Sequence, residues 1–447
     1  MCFIHTADWH LGNQLHDIDR REEAEAFLRW LKTQIIAHSA ETLIVAGDIF
    51  DTVNPSTEAR RQYYSFLASL VDTCCRNVVI IGGNHDSAVM LDAAKELLEV
   101  LHIRVVGSIN NLTPEDMVIE LKDADGETSA ICLAVPFVRE VELRNLLSAD
   151  NAELPVEVSD ADAETAATAS IADGDLYSTA YKSLYDSVYA AAEKLRAGRA
   201  LPLIATGHLY AADLEGKRAE ATSSEKRDDG IKVIDVLGTL GNVPPAVFPP
   251  VDYVALGHIH YTSMVAKNAA VRYSGSPFVM GFDEADIPHY VLCVDASAGK
   301  PLSVEKLETP HTVDYRRLKG TLAEVKDALE ALSAQESTTV DMTKPCYLEL
   351  CYKREIGENV QEYLDGVIRA LPANISVVSW KIMEPEQHGA FAVEGLASLD
   401  AAEVGNLDDK EVFTQLILSR SKLEPQSEEA QRALDKFLPL FLQLAES

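Results

Sequence analysis

Asp8 and His10 are two residues apart, and both side chains end in atoms that ligate divalent metals. They follow a short apolar run, Cys2-Phe3-Ile4. The pattern then recurs along the chain. Leu43-Ile44-Val45 leads into Gly47-Asp48, and Val78-Val79-Ile80-Ile81 leads into Gly83-Asn84-His85-Asp86. Leu203-Ile204 leads into Thr206-Gly207-His208, and Tyr253-Val254-Ala255-Leu256 leads into Gly257-His258-Ile259-His260. Carboxylate oxygen, amide oxygen and imidazole nitrogen suit hard to borderline ions such as Mn, Mg, Fe or Zn. The candidate ligands are Asp8, His10, Asp48, Asn84, His208, His258 and His260. If Asp48 bridges with its two oxygens, this set suffices for two ions.

Charge decides what such a pair attracts. Two divalent ions bring four positive charges, and Asp8 and Asp48 return two negative ones. The site stays cationic and draws a phosphate. Two ions about 3.5–4 Å apart can clamp the attacking and leaving oxygens of an in-line displacement. That chemistry is phosphoester hydrolysis, with water rather than a side chain as nucleophile. His85 follows the candidate ligand Asn84 and is assigned as general acid, or transition-state donor, at the leaving oxygen. Asp51, three residues past Asp48, is expected to hold the His85 ring with its carboxylate and favour the protonated form.

Each motif alone is weak. Asp-x-His or Gly-Asp also describes a surface turn, and Gly-His-x-His also describes a strand end. The ordered set of five carries the case. The remaining histidines have plain readings. His5 lies inside an apolar run and reads as a packed core residue. His16, His38, His102, His289, His311 and His388 have no partner motif. Lys217, Arg218, Lys226 and Arg227, like Arg60 and Arg61, read as solvated faces rather than a nucleic-acid contact.

These motifs need elements to hold them. Short runs rich in β-branched residues read as buried strands. Ligands just past strand ends match the carboxyl edge of an α/β sheet. Between the runs, Glu22–Ala37 repeats Ala24, Phe27, Leu28, Leu31 and Ile35 at helical spacing, and the stretch after Pro55-Ser56 repeats Tyr63, Phe66, Leu67 and Leu70. This alternation predicts a layered α/β fold. Residues 148–175 hold eight acids and no Lys or Arg, and read as a solvated insertion. A helix follows, with Tyr177, Tyr181, Leu184, Val188 and Leu195 on one face. A charged loop spans Leu214–Gly230.

Val271–Tyr273, His289–Val294 and Ser303–Leu307 read as strands that finish a first domain, 1–308. A smaller α/β unit is expected over 309–390. It has helix faces at Leu322, Val325, Leu329 and Leu332 and at Val360, Leu364, Val367 and Leu371, and strands at Leu348–Tyr352 and Ile375–Ile382. Residues 391–447 read as linker and tail. The tail carries two amphipathic stripes, Val412, Phe413, Leu416, Ile417 and then Ala433, Leu434, Phe437, Leu438, Phe441. Asp408 and Glu411 have capping-box spacing before the first. These stripes serve either intramolecular packing or docking.

Composition sets the outer bounds. At 447 residues the chain predicts two or three domains. No apolar stretch reaches membrane-spanning length, and the N-terminus lacks a basic-then-apolar leader, so a cytoplasmic protein is expected. The seven cysteines are scattered without a Cys-x-x-Cys pair, which argues against a disulfide framework or thiolate zinc. The net charge of −32 argues against nucleic-acid binding over the whole surface. It leaves room for a local basic groove or a cationic metal site, and suggests that a partner supplies part of any DNA affinity or that the cell interior is salty.

Taken together, the residues resemble the calcineurin-like metallophosphoesterase superfamily, and within it a branch of bacterial double-strand-break repair nucleases. The resemblance rests on His5-Thr6-Ala7-Asp8-Trp9-His10-Leu11-Gly12, Val45-Ala46-Gly47-Asp48-Ile49-Phe50-Asp51 and Gly83-Asn84-His85-Asp86-Ser87. It extends to Ala205-Thr206-Gly207-His208, Ala255-Leu256-Gly257-His258-Ile259-His260, Tyr273-Ser274-Gly275-Ser276-Pro277 and Phe282-Asp283-Glu284. It implies a β-sandwich flanked by helices, with an α/β capping domain and a helical tail. It implies Asp8, His10, Asp48 and His260 on one Mn ion, with Mg as the substitute, and Asp48, Asn84, His208 and His258 on the other. His85 matches the family's catalytic histidine, and Asp51 stands where relatives vary. The implied activity is 3′-to-5′ exonuclease on double-stranded DNA ends and endonuclease on single strands and hairpins. The implied partner is a coiled-coil ATPase bound by the tail, around a homodimer in a heterotetramer. The rivals are a phosphodiesterase for small nucleotides and a non-catalytic scaffold that tethers DNA ends.

Overall fold

The structure, a computed structural model, describes residues 1–139, 141–143, 146, 173–211, 243–333, 344–353 and 360–383. Residues 148–172 of the acidic insertion, the loop 214–230, and the linker and tail from 384 onward lie outside the described residues.

Two six-stranded sheets form the body. The first runs β14 (Ser303–Glu308), β13 (Tyr290–Asp295), β1 (Cys2–Thr6), β4 (Thr42–Ala46), β5 (Asn77–Ile81), β6 (Ile103–Val106). Strands β1, β4, β5 and β6 are parallel, and β13 joins β1 antiparallel. A short hairpin, β2 (Gln14–Leu15) and β3 (Ile18–Asp19), lies between β1 and β4 in the chain. The second sheet runs β11 (Ser263–Met264), β12 (Val271–Tyr273), β10 (Tyr253–Gly257), β9 (Leu203–His208), β8 (Thr128–Leu133), β7 (Val118–Lys122). Its centre, β12-β10-β9-β8, is parallel.

The apolar runs show why the sheets stack. On β4, Ile44 and Ala46 face one core while Leu43 and Val45 face another. The first core lies between the sheets, where Phe3, Ile44, Val79 and Ile81 meet Ile131, Ile204, Val254 and Leu256. The second lies under the helices Arg21–Ala37 and Thr57–Leu70, through Phe27, Leu31, Tyr63 and Leu67. A strand covered on both faces reads as an unbroken apolar run, which explains the lack of alternation in the sequence. Helix Asp173–Arg196 buries Tyr181, Leu184, Tyr185 and Val188 in the first core. Leu195, expected on that stripe, is exposed near the helix end.

Register levels the strand ends. Thr6 pairs with Val45 and Ala46 with Ile81, while Gly257 pairs with His208. The loops that leave β1, β4, β5, β9 and β10 therefore start side by side. A third sheet, β15 (Asp314–Thr321), β16 (Cys346–Lys353), β17 (Ile375–Met383), has its own small core of Leu322, Val325, Leu329, Leu348, Leu350 and Leu364. Strands β15 and β16 are parallel and joined through helix Leu322–Ser333, a βαβ unit. Met1–Ile382 form one compact unit and Met383–Ser447 a second. Among the described residues, no helix is long and apolar enough to cross a membrane.

Candidate metal centre

The five loops reach a common point through strained backbone. Asp8, His10, Asp48 and His258 have φ values of 54°, 43°, 49° and 96°. Non-glycine residues rarely occupy this left-handed region, and such strain clusters at functional sites. Two glycines make room. Gly47 has φ 92°, and a Cβ there would overlap the His208 ring. A Cβ on Gly83 would overlap the Asp48 carboxylate and backbone nitrogen. The loops after β4 and β5 are tied together by Asp86, whose carboxylate accepts from Ile49 N (3.1 Å), Phe50 N (3.0 Å) and Gly83 N (2.9 Å).

All seven candidate ligands come together. Asp8, His10 and His260 have ligating atoms within 4.8 Å of one another, as do Asp8, Asp48 and His208. Asp48 Oδ2 lies 3.7 Å from His10 Nε2 and 3.3 Å from His208 Nε2. Asn84 Oδ1 lies 2.9 Å from His208 Nε2 and 3.0 Å from His258 Nδ1. Asp48 Oδ1 accepts the His85 backbone N–H at 2.9 Å, and Oδ2 faces His10 and His208.

The donor chemistry fits cations. His208 donates its Nδ1–H to the Ala46 carbonyl at 2.9 Å, which leaves Nε2 to meet Asn84 Oδ1 and Asp48 Oδ2. A neutral ring would then set a lone pair against two acceptor oxygens, an arrangement that calls for a positive charge between them. His10 is buried; its Nδ1 lies 3.3 Å from Asp51 Oδ1, and its Nε2 has no hydrogen-bond partner. Buried polar atoms are rarely left so. In the protein alone, protons answer the same demand. Burial alone would lower the His208 pKa, but the Asp48 and Asp8 carboxylates outweigh it and hold the ring at about 9. Burial raises Asp8, opposed by His208. Asp48 is held well below the usual carboxylate range, because His208 and His10 outweigh its burial. Burial, with neighbouring rings, pushes His258 down to about 4 and His260 to about 3, so both offer neutral nitrogens.

His85 is exposed beside this cluster, with its ring centroid 4.9 Å from that of His10. Its Nδ1–H donates to the main-chain carbonyl of Asp51 at 2.8 Å. The expected hold by the Asp51 carboxylate is thus corrected. Asn13 Nδ2 donates to Asp51 Oδ1 at 2.9 Å, and that oxygen lies 3.3 Å from His10 Nδ1. These two draw the side chain away and leave the carbonyl to orient His85. Two contributors escape sequence reasoning. Asp86 stands inside its motif, but nothing in the motif marks its role as a fastener. Asn13 has no local signal, because its partner is 38 residues away. Of the other histidines, His5 is buried between Tyr253 Oη and the Leu256 carbonyl, and His289 bonds the Ser276 carbonyl. Arg61 pairs with Glu58 on the solvated face, as expected. Lys217, Arg218, Lys226 and Arg227 lie outside the described residues.

This layered fold and its carboxylate–histidine cluster define a class, and the chain belongs to the calcineurin-like phosphoesterase family, whose model matches residues 1–261. It is a metal-dependent phosphoester hydrolase. More particularly, it is 32% identical over 435 residues to the D subunit of the nuclease SbcCD from Escherichia coli K12, covering 97% of this chain and 96% of that one. It is 33% identical over 396 residues to the D subunit of the nuclease SbcCD from Rhodobacter capsulatus, covering 86% and 88%. With the protein of that name from Bacillus subtilis it shares 30% identity over 301 residues, 67% of each chain.

Proposed function

We propose that this chain is a two-metal DNA nuclease, the D subunit of an SbcCD-like complex. The observation that carries the reading is the convergence of Asp8, His10, Asp48, Asn84, His208, His258 and His260 through mutual contacts in one cluster. The names of relatives that span nearly its whole length support the choice of substrate. Asp8, His10, Asp48 and His260 would hold one Mn ion, and Asp48, Asn84, His208 and His258 the other. Bound there, the ions would neutralise phosphoryl oxygens and activate water at neutral pH.

The chain's own residues do the rest. His208 is oriented by its Nδ1–H bond to the Ala46 carbonyl, which leaves Nε2 for ligation. His85 stands at the exposed rim, where a leaving oxygen would lie, and its ring is fixed by the Asp51 carbonyl. Its Nε2 delivers the proton to the leaving strand. Asp51 acts indirectly, by placing His85 through its main-chain carbonyl. Residues 1–308 make the nuclease domain, 309–390 a DNA cap, and 391–447 the linker and tail that dock an SbcC-like ATPase with a homodimer at the centre. A second α/β sheet unit favours a large substrate over a free nucleotide.

The test is cleavage of a hairpin duplex in Mn, with and without the co-purified ATPase. Opening of the hairpin and 3′-to-5′ trimming of blunt ends, both abolished by chelator, are expected. A preparation that hydrolyses small nucleotide diesters but leaves DNA intact would overturn the proposal.

A further inference from the structure

The third sheet is wired to the His85 loop through a buried arginine. Tyr315, on β15, is 5% exposed and packs with Leu15, Ile18, Val279 and Phe282. Its Oη donates to Glu23 Oε2 at 3.2 Å. The same carboxylate oxygen accepts from Arg20 Nε at 2.7 Å. The Arg20 guanidinium lies 5.5 Å from the Tyr315 ring centroid and 5.3 Å from that of Phe278. Its Nη1 donates to the Val279 carbonyl (2.8 Å) and to Asn13 Oδ1 (3.2 Å). Asn13 then donates to Asp51 Oδ1, and the Asp51 carbonyl accepts from His85.

Burial makes this path unusual. Arg20 is 7% exposed, and its Nη2 is buried with no hydrogen-bond partner. Two aromatic faces cover it instead. A guanidinium that gives up water for rings on two different elements is favourable only while both rings are in place. Glu23 is likewise satisfied by one group from the helix terminus and one from the third sheet. If the third sheet shifts, Arg20 loses a ring and Glu23 loses a donor. The nearest polar group able to respond is Asn13, which touches Asp51.

We propose that Arg20 is a positioning residue that makes the placement of His85 depend on the seating of the third sheet. The inference rests on the nuclease reading above, in which His85 acts at the leaving oxygen. It predicts an effect on turnover rather than on metal content or substrate affinity, because Asn13 and Tyr315 are not among the candidate ligands.

A double-mutant cycle on the full complex tests it. Tyr315→Phe removes the hydroxyl but keeps the ring, and Asn13→Ala cuts the path near the site. Each should lower kcat on the hairpin about five-fold, the scale of one lost hydrogen bond, with KM and bound Mn unchanged. The double variant should be no slower than the worse single, because both break one path. Multiplying effects, or losses confined to KM or metal content, would overturn the relay. His85→Ala is run alongside. If it is inactive while the cycle is multiplicative, only the relay fails. If it cuts normally, the nuclease reading fails and the relay with it.

Discussion

At the scale of residues, the site works because each group has its second hydrogen bond already assigned. His208 gives Nδ1–H to Ala46, so its Nε2 is fixed in direction. Asp48 accepts the His85 backbone N–H on Oδ1 and turns Oδ2 toward His10 and His208. His85 gives Nδ1–H to a carbonyl, which leaves its Nε2 uncommitted. On the proposed reading, this division of labour separates ligation from proton delivery. His85→Ala should therefore keep its bound metal by elemental analysis while strand cleavage falls about 10²–10⁴-fold, the usual contribution of a general acid. Loss of the metals together with activity would show that His85 is a structural part of the centre rather than its acid.

At the scale of elements, the loops and the sheets each have a buried polar fastener. Asp86 joins the loops after β4 and β5 through three backbone N–H groups. Asp86→Ala would leave those donors buried and unpaired, at about 1–3 kcal/mol each. The expected result in urea melts is a loss of about 3 kcal/mol or more, with weaker Mn binding. His5 joins the two sheets, accepting from Tyr253 Oη and donating to the Leu256 carbonyl. Burial holds its pKa down at about 3, against 6.5 in the open chain. The unfolded state thus takes up a proton first, and this contribution, complete above pH 6.5, is lost as pH falls toward 3. The full effect is on the order of 5 kcal/mol. His5→Gln keeps an acceptor and a donor without titrating, so its stability should fall less between pH 7 and 4. Equal slopes in the two proteins would refute the assignment.

Much at these two scales is legible in the sequence. The parallel strands show as apolar runs, the helices as periodic stripes, and the seven candidate ligands as residues at or just past strand ends, His208 closing β9 and the other six following their strands. What stays hidden depends on contacts far apart in sequence. Asn13 to Asp51, Arg20 to Val279 and Tyr315 to Glu23 leave no periodic trace. The Asp51 side chain turns elsewhere than expected because spacing gives proximity but not which end of a residue turns inward. The left-handed backbone at Asp8, His10, Asp48 and His258 is equally invisible, since sequence preference there favours glycine.

At the scale of the whole molecule, an acidic chain carries a site built for cations. The net charge of −32 opposes a polyanion everywhere except near that centre. DNA binding by this chain alone should be weak in band-shift assays at moderate salt, and the proposed SbcC-like partner should strengthen it roughly ten-fold or more through phosphate contacts. Equal affinity with and without the partner would mean that this chain carries its own DNA-binding surface. The central claim concerns the metals themselves. Crystals soaked in Mn and measured near its absorption edge should give two anomalous peaks beside Asp48, one ringed by Asp8, His10 and His260 and the other by Asn84, His208 and His258. A map with no peak within reach of Asp48 would contradict the account.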